Sequence, residues 1–322
     1  MKCQWLRLGF EELKFVRSPD DLKILLSNAK YGLSRAMGTI ARHTRVPHSV
    51  QIEPTNCCNL ACICCPRSKS SRARGYMDFS LFRRIIDDAS QIGVKMARLY
   101  LHGESMLHPQ IVEMFSYVKR KGMVIHLVTN GTLFTREQIR AILSSNVNRA
   151  DRIIFSILGY SKEVHERIMR GVDHYQVLKN LSLFLELRKE MGSNGPVIEV
   201  IFYAMPENES ERWEFYEYWH GVVDHVQVVG WTSKQFAEFN SAHHDSVPVR
   251  SKTCTYLWDR MTIFWNGDVT TCMADVDGIH RFANLSEQSI SEVWNCQTIL
   301  SIKQLHKKRH FQDLPFCSRC DW

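Results

Sequence analysis

The chain has 322 residues, 44% hydrophobic and 23% charged, the balance of ordinary globular proteins, and that length allows one large domain with a small appendage. No apolar run approaches the length of a membrane span, and the start at Met1 reaches Glu11 and Glu12 without the apolar stretch of a secretory signal. The membrane and secreted classes are thereby excluded and the cytoplasm is the expected location. The net charge of +7 invites an anionic partner, but the Lys and Arg residues are scattered and the one dense run, Lys307-Lys308-Arg309, reads as a solvated helix end, so no nucleic-acid partner is expected.

Residues 1–47 read as a charged helical extension, with a helix from Leu22 to His43. Ser49–Glu53 alternates as a strand does and runs into Pro54-Thr55-Asn56 and a cysteine-rich loop. From there helices and strands alternate: helix Phe79–Ile92, strand Ala97–Leu101, helix Gln110–Lys121, strand Val124–Val128, helix Thr135–Ser145, strand Arg152–Ile157. Helix Tyr175–Met191, strand Val197–Tyr203, helix Glu209–His220 and strand Val226–Val229 complete the run. Six strands with intervening helices predict an α/β fold, a parallel sheet forming a partial (β/α)6 TIM-like barrel over residues 48–232, with active residues at the C-terminal ends of the strands. The aromatic run Trp213–Trp219 reads as a helix packing face. Residues 233–252, polar and containing His243, His244 and Asp245, read as a linker. Residues 253–322 form a second unit, with a hairpin of Met261–Trp265 and Asp268–Cys272 around Asn266-Gly267, then a helix Ser289–His306.

The chain has eleven cysteines, an odd number, and no export signal, which favours metal ligation over disulfides. Five lie between residues 57 and 65 and five after residue 253. Cys58, Cys62 and Cys65 are spaced C-x3-C-x2-C, so one compact loop can offer three thiolates to three irons of a cubane and leave the fourth iron open to a ligand. The competing zinc reading wants four ligands, usually as two separated pairs. In the second group, Cys254 is followed by 12 residues, Gly267, four residues and Cys272, and Cys317-x2-Cys320 completes a set of four. Those four thiolates suit a saturated cubane or a structural zinc, and Cys296 lies between the pairs as a possible substitute ligand.

The C-x3-C-x2-C loop after the first barrel strand resembles the radical S-adenosylmethionine (SAM) superfamily. The resemblance implies that the open iron chelates SAM and that reductive cleavage yields a 5′-deoxyadenosyl radical. Leu101-His102-Gly103-Glu104 resembles the family's Gly-Gly-Glu segment with His102 in place of the first glycine, so Gly103 and the Glu104 region are expected near the SAM ammonium. Val128-Thr129-Asn130-Gly131 resembles the common Thr-Asn-Gly segment, and Ile154–Gly159 the family's fourth strand, so Thr129, Asn130 and Ser156 are expected SAM contacts. Arg167 and Arg170 are candidates to meet the SAM carboxylate. Cys64 departs from the aromatic residue usual before the last cysteine, and Leu158 from the usual Asp.

The C-x12-G-x4-C pattern after the barrel resembles the start of a SPASM domain, in the shortened twitch form with one auxiliary cluster. The layout is similar to dehydrogenases of the 2-deoxy-scyllo-inosamine type, over residues 48–322. The resemblance implies SAM and two [4Fe–4S] clusters as cofactors, with Cys58, Cys62 and Cys65 on one cluster and Cys254, Cys272, Cys317 and Cys320 on the other. It further implies an external electron donor such as flavodoxin or ferredoxin, and a small-molecule substrate. The expected reaction is oxidation of an alcohol on a sugar or aminocyclitol, the auxiliary cluster taking the electron. Tyr203, Arg260 and Asp275 are the candidate bases. An epimerase, with Cys3, Cys57, Cys64 or Cys296 as hydrogen donor, and a peptide-modifying maturase are the alternatives.

Overall fold

The computed structural model describes residues 45–230, 253–318 and 320. The expected helix Leu22–His43, Cys3 and the linker over 233–252 lie outside the described residues. Six strands alternate with helices from residue 49 onward: β1 Ser49–Ile52, α1 Phe79–Gln91, β2 Met96–Leu99, α2 Ile111–Arg120, β3 Val124–Thr129, α3 Arg136–Leu143, β4 Arg152–Ser156. Helices α4 Lys162–Ile168 and α5 His174–Glu190 precede β5 Val197–Ala204, and α6 Arg212–Trp219 precedes β6 His225–Gly230. All six strands pair in parallel, in the order β6-β5-β4-β3-β2-β1, as a partial barrel requires.

The second unit does not stand apart from this sheet. After α7 Tyr256–Asp259, strand β7 Arg260–Ile263 pairs in parallel with β1, Arg260 opposite Ser49 and Ile263 opposite Ile52. Strands β8 Asp268–Thr270 and β9 Arg281–Asn284 continue antiparallel, giving one nine-stranded sheet. The β7–β8 connection closes with Gly267 at φ 88, a left-handed conformation that suits the Asn-Gly pair in the sequence. The expected helix Ser289–His306 is two helices, α8 Ile290–Trp294 and α9 Gln297–Lys308, before α10 Pro315–Ser318. The Asn295 side chain bonds back to the Ser291 carbonyl at 2.8 Å and Cys296 turns extended to cap the new helix.

Side-chain alternation sorts the sheet into two faces. Val50, Ile52, Ala97, Leu99, Ile125, Leu127, Ile153, Phe155, Ile198 and Val200 are buried against the helices. Helix α1 supplies Phe82, Ile85, Ile86 and Ala89 at helical spacing, its start fixed by Asp78 accepting from the amides of Ser80 and Leu81. Burial of each large side chain of that stripe is worth about 2 kcal/mol. The other face is polar: Gln51, Arg98, His126 and Arg152 stand in register across β1 to β4. Arg152 bonds Glu199 of β5 at 3.3 Å, and Arg98 and Arg260 both approach Asp259. The sheet is thus apolar toward its helices and carries buried, partly paired polar and charged side chains on its other face. The aromatic run in α6 packs inward through Phe215, Tyr216 and Trp219, as expected.

A buried histidine pair under α4 and α5 gives this fold an acid limit. His165 and His174 share a contact of 3.0 Å between their Nδ1 atoms, which only one proton can bridge. Burial and then His174 pull His165 down to about 3. A depressed histidine adds stability that is complete above the unfolded value near 6.5 and is lost as pH falls toward the folded one. Stability is therefore expected to drop by about 1.4 kcal/mol per pH unit below ~6 from His165 alone. Thermal unfolding from pH 7.5 to 5.5 checks this, and His165→Gln should flatten the slope.

Candidate functional site

The loop after β1 carries Cys57, Cys58, Cys62, Cys64 and Cys65, all half-buried thiols. Its backbone is held on every side. The amides of Ala61 and Ile63 bond the carbonyls of Arg170 and Ile168 at 2.9 Å. Buried Asn56 donates to the Ala73 carbonyl at 2.8 Å and accepts from the Gly75 amide at 2.9 Å. Asn59 donates to Thr132 and accepts from Asn130, both at 2.9 Å. Leu60 plugs the core, and Arg67 caps its carbonyl at 2.7 Å.

The expected first set lies together. Burial raises Cys58, and Glu104 and Cys65 add to the rise. Burial, then Cys64, Cys65 and Cys58, raise Cys62 strongly. Cys64 is pushed up to about 12 by burial and by Cys65. Burial thus keeps these thiols protonated unless a cation sits among them, and a metal cluster would supply that positive charge. Among the described residues no three His, Cys, Asp or Glu side chains converge tightly enough for a single ion. A tetrahedral zinc with sulfurs at ~2.3 Å needs such convergence. A cubane spreads its thiolates over separate irons and does not. Three half-buried thiols on one short loop are a donor set that suits an iron–sulfur cluster.

The remaining expected contacts ring the same end of the sheet. Glu104 is buried, and burial raises its carboxyl. Its oxygens accept from the Met106 amide at 3.0 Å, the Thr129 hydroxyl at 2.9 Å and the Asn130 amide at 2.7 Å. Three of about four lone-pair sites are thus in use, leaving one for an incoming donor. Asn130 also accepts from the amide and hydroxyl of Thr132. Gly103 packs backbone on backbone: a Cβ there would sit 2.1 Å from the Thr55 carbonyl oxygen and 2.6 Å from that of Cys57. Ser156 ends β4 half-buried, and its hydroxyl bonds no other side chain among the described residues. Arg167 and Arg170 are exposed, Arg167 donating to the Glu207 carbonyl at 2.9 Å. Leu158 is buried.

The second set also gathers. Burial raises Cys272 strongly, the Ala274 amide opposes, and Cys254, Cys320 and Cys317 raise it further. Cys296 acts on Lys303, whose ammonium rests on the Trp294 ring at 3.5 Å, and packs with Cys254 against Leu257, Trp258 and Ile299. Tyr256, two residues past Cys254, is raised by burial and feels Arg260, Tyr100, Cys254 and Cys272. The Arg260 guanidinium lies 4.1 Å over the Tyr256 ring. Tyr100 follows β2, its carbonyl accepting from Gln51 at 3.3 Å and its hydroxyl from Arg98 at 3.4 Å. Of the expected bases, Asp275 is spent on structure, accepting from Thr270 at 2.5 Å and from the amides of Ile279 and His280 at 2.9 Å. Arg260 is bound to Asp259. Tyr203 stands half-buried in β5.

Sequence reasoning missed Glu53 and Arg72. Arg72 grips Glu53 with two bonds, at 2.9 and 2.7 Å, across the root of the cysteine loop. No local spacing marks such a pair. Asn56 and Asn59 flank the cysteines and had a readable signal, since polar residues with local hydrogen-bonding reach pin loops. No helix of the described residues is long and apolar enough to cross a membrane.

Residues 52–218 match the model of the Radical SAM superfamily, and residues 254–321 match that of SPASM, an iron–sulfur cluster-binding domain. A relative from Pyrococcus furiosus, the tungsten-containing aldehyde ferredoxin oxidoreductase cofactor-modifying protein, is 22% identical, over 84% of this chain and 86% of that protein. BtrN, solved with AdoMet and 2-DOIA, superposes with a TM-score of 0.58 at 15% identity, over 86% of this chain and 94% of that one. SuiB of Streptococcus suis, solved with its precursor peptide SuiA, gives 0.59 at 16% identity, over 87% and 71%.

Proposed function

Because this chain belongs to the radical SAM superfamily and carries its SPASM iron–sulfur domain, we propose that it binds two [4Fe–4S] clusters and oxidises an alcohol on a sugar or aminocyclitol. Bound SAM and clusters supply a radical that takes hydrogen from an unactivated carbon, and an acceptor for the electron that remains. The protein does the rest. Cys58, Cys62 and Cys65 hold one cluster with an iron left open. Gly103, Glu104, Thr129, Asn130 and Ser156 receive SAM beside it. The polar concave face, with Gln51, Arg98, Tyr100, His126 and Arg152, receives a hydroxylated substrate.

The observation that carries the reading is the company of Cys272. Cys254, Cys317 and Cys320 all act on it. Four thiolates saturate a cubane and leave no iron to grip substrate, which suits an electron acceptor. BtrN, a radical SAM dehydrogenase of the aminocyclitol type, shares the fold over nearly its whole length. The likeness to SuiB, solved with a peptide, supports peptide modification as a second reading. A flavodoxin or ferredoxin is the proposed donor for the first cluster.

The test is product analysis under anaerobic conditions with SAM, a reductant and an aminocyclitol probe. One ketone per 5′-deoxyadenosine is the expected result, with no deuterium entering from heavy water. Deuterium at carbon would favour the epimerase, and turnover of a peptide alone would replace the reading with the second one. Cys254→Ala with Cys272→Ala is expected to keep SAM cleavage while ketone formation falls by about 100-fold, since the electron then lacks its acceptor.

A further inference from the structure

The strap over residues 70–75 joins the two cysteine-bearing loops, and one side chain in it touches both. Arg72 follows Cys65 by seven residues, and Glu53 precedes Cys58 by five. Their bidentate pair, with Glu53 fully buried and Arg72 12% exposed, closes the first loop at its root. The same guanidinium donates through Nε to the Val276 carbonyl at 2.7 Å and lies 3.9 Å from the centre of the Phe264 ring. Val276 lies four residues beyond Cys272. The contacts around it point the same way. Ser71 donates from its amide to Asp277 at 2.7 Å and Ser70 from its hydroxyl to the Val276 carbonyl at 3.2 Å. The Trp265 indole donates to the Ala73 carbonyl at 3.3 Å, and its amide to Glu53 at 3.3 Å. A Cβ on Gly75 would strike the Trp265 ring at 2.5 Å. Three N–H groups of Arg72 are thus engaged, two on Glu53 at the root of the first loop and one on Val276 in the second.

We infer that Arg72 is a positioning residue that sets the separation and orientation of the two clusters, through its simultaneous grip on Glu53 and Val276. The planar fork matters as well as the charge, because lysine is a point charge and cannot reproduce the two parallel bonds that the fork makes to Glu53. The inference rests on the proposal that both loops carry clusters.

The experiment uses the full chain, reconstituted anaerobically as wild type, Arg72→Met and Arg72→Lys, with SAM and dithionite as the only additions. Iron analysis separates the two ideas: about four irons in the wild type would sink the two-cluster reading itself, and about eight sustains it. With both clusters reduced, the magnetic relaxation of one by the other reports their separation. In Arg72→Met that relaxation is expected to shift away from the wild-type value, since the coupling between two spins depends steeply on their separation. Cleavage of SAM alone should continue, because the three thiolates are untouched. Arg72→Lys should fall between the two. Eight irons with relaxation unchanged in Arg72→Met would overturn the inference. If that variant fails to hold iron, Glu53→Gln weakens the same pair from its other side, and eight irons with unchanged relaxation there overturn the inference equally.

Discussion

Alanine at Cys58, Cys62 and Cys65 together is expected to reduce reductive cleavage of SAM to background. Bound iron should fall by half, to about four per chain. The loop offers no spare set of three. Cys57 faces Tyr76, whose phenol it raises through a side-chain hydrogen bond. Cys64 remains alone, and burial makes its thiolate costly without iron beside it. The single variants separate roles further. If Cys64 can stand in for Cys65, then Cys65→Ala retains measurable cleavage and Cys65→Ala with Cys64→Ala does not. Chromatographic detection of 5′-deoxyadenosine and colorimetric iron are the measurements. Continued cleavage by the triple variant would remove the basis for every functional statement made above.

Gly103→Ala is the second large effect. A methyl group there must occupy space 2.1 Å from the Thr55 oxygen and 2.6 Å from the Cys57 oxygen, both backbone atoms. Flexible side chains yield to such a clash, but this backbone is locked by the Glu104 amide bonding Cys57 at 2.8 Å and the Cys57 amide bonding Thr55 at 3.0 Å. Overpacking of this kind costs about 3 kcal/mol or more. The melting temperature should fall by roughly 6–10 °C. SAM cleavage should fall by at least about tenfold, because a displacement of 1 Å at the reacting groups suffices. Gly122→Ala is the control: its φ of 71 strains an alanine, yet no atom lies within 4 Å of the new methyl. Its cost is limited to about 1 kcal/mol with cleavage unaffected. Equal effects at the two glycines would refute the packing account.

The barrel was readable because its strands are short apolar runs separated by helices whose buried residues recur at three and four. Phe82, Ile85, Ile86 and Ala89 are a plain instance. Helix α4 was not readable: Lys162–Ile168 is brief, mostly polar, and held by a Ser161 cap rather than by an apolar stripe. Strand β9 is four residues with little alternation, so it depends on pairing with β8 to exist at all. The cysteines announced themselves by spacing, and members of each expected set lie near enough to act on one another electrostatically. Roles were harder. Gly103 was expected to admit a ligand, and the atoms it admits are the protein's own carbonyls. Glu104 was expected to meet an ammonium group, and most of its carboxylate already braces the end of β3. The Arg72–Glu53 pair stayed hidden because it is a contact between residues 19 apart with no periodic sign.

The pairing of β7 with β1 makes the auxiliary module a graft rather than an attachment. Removing residues 253–322 would strip β1 of one neighbour and leave its carbonyls and amides bare along a strand that is fully buried in the whole chain. Such a flank is a template for self-association. The segment that carries the second set of thiols is therefore also the one that closes this flank of the barrel, and a chain cut before residue 253 is expected to self-associate.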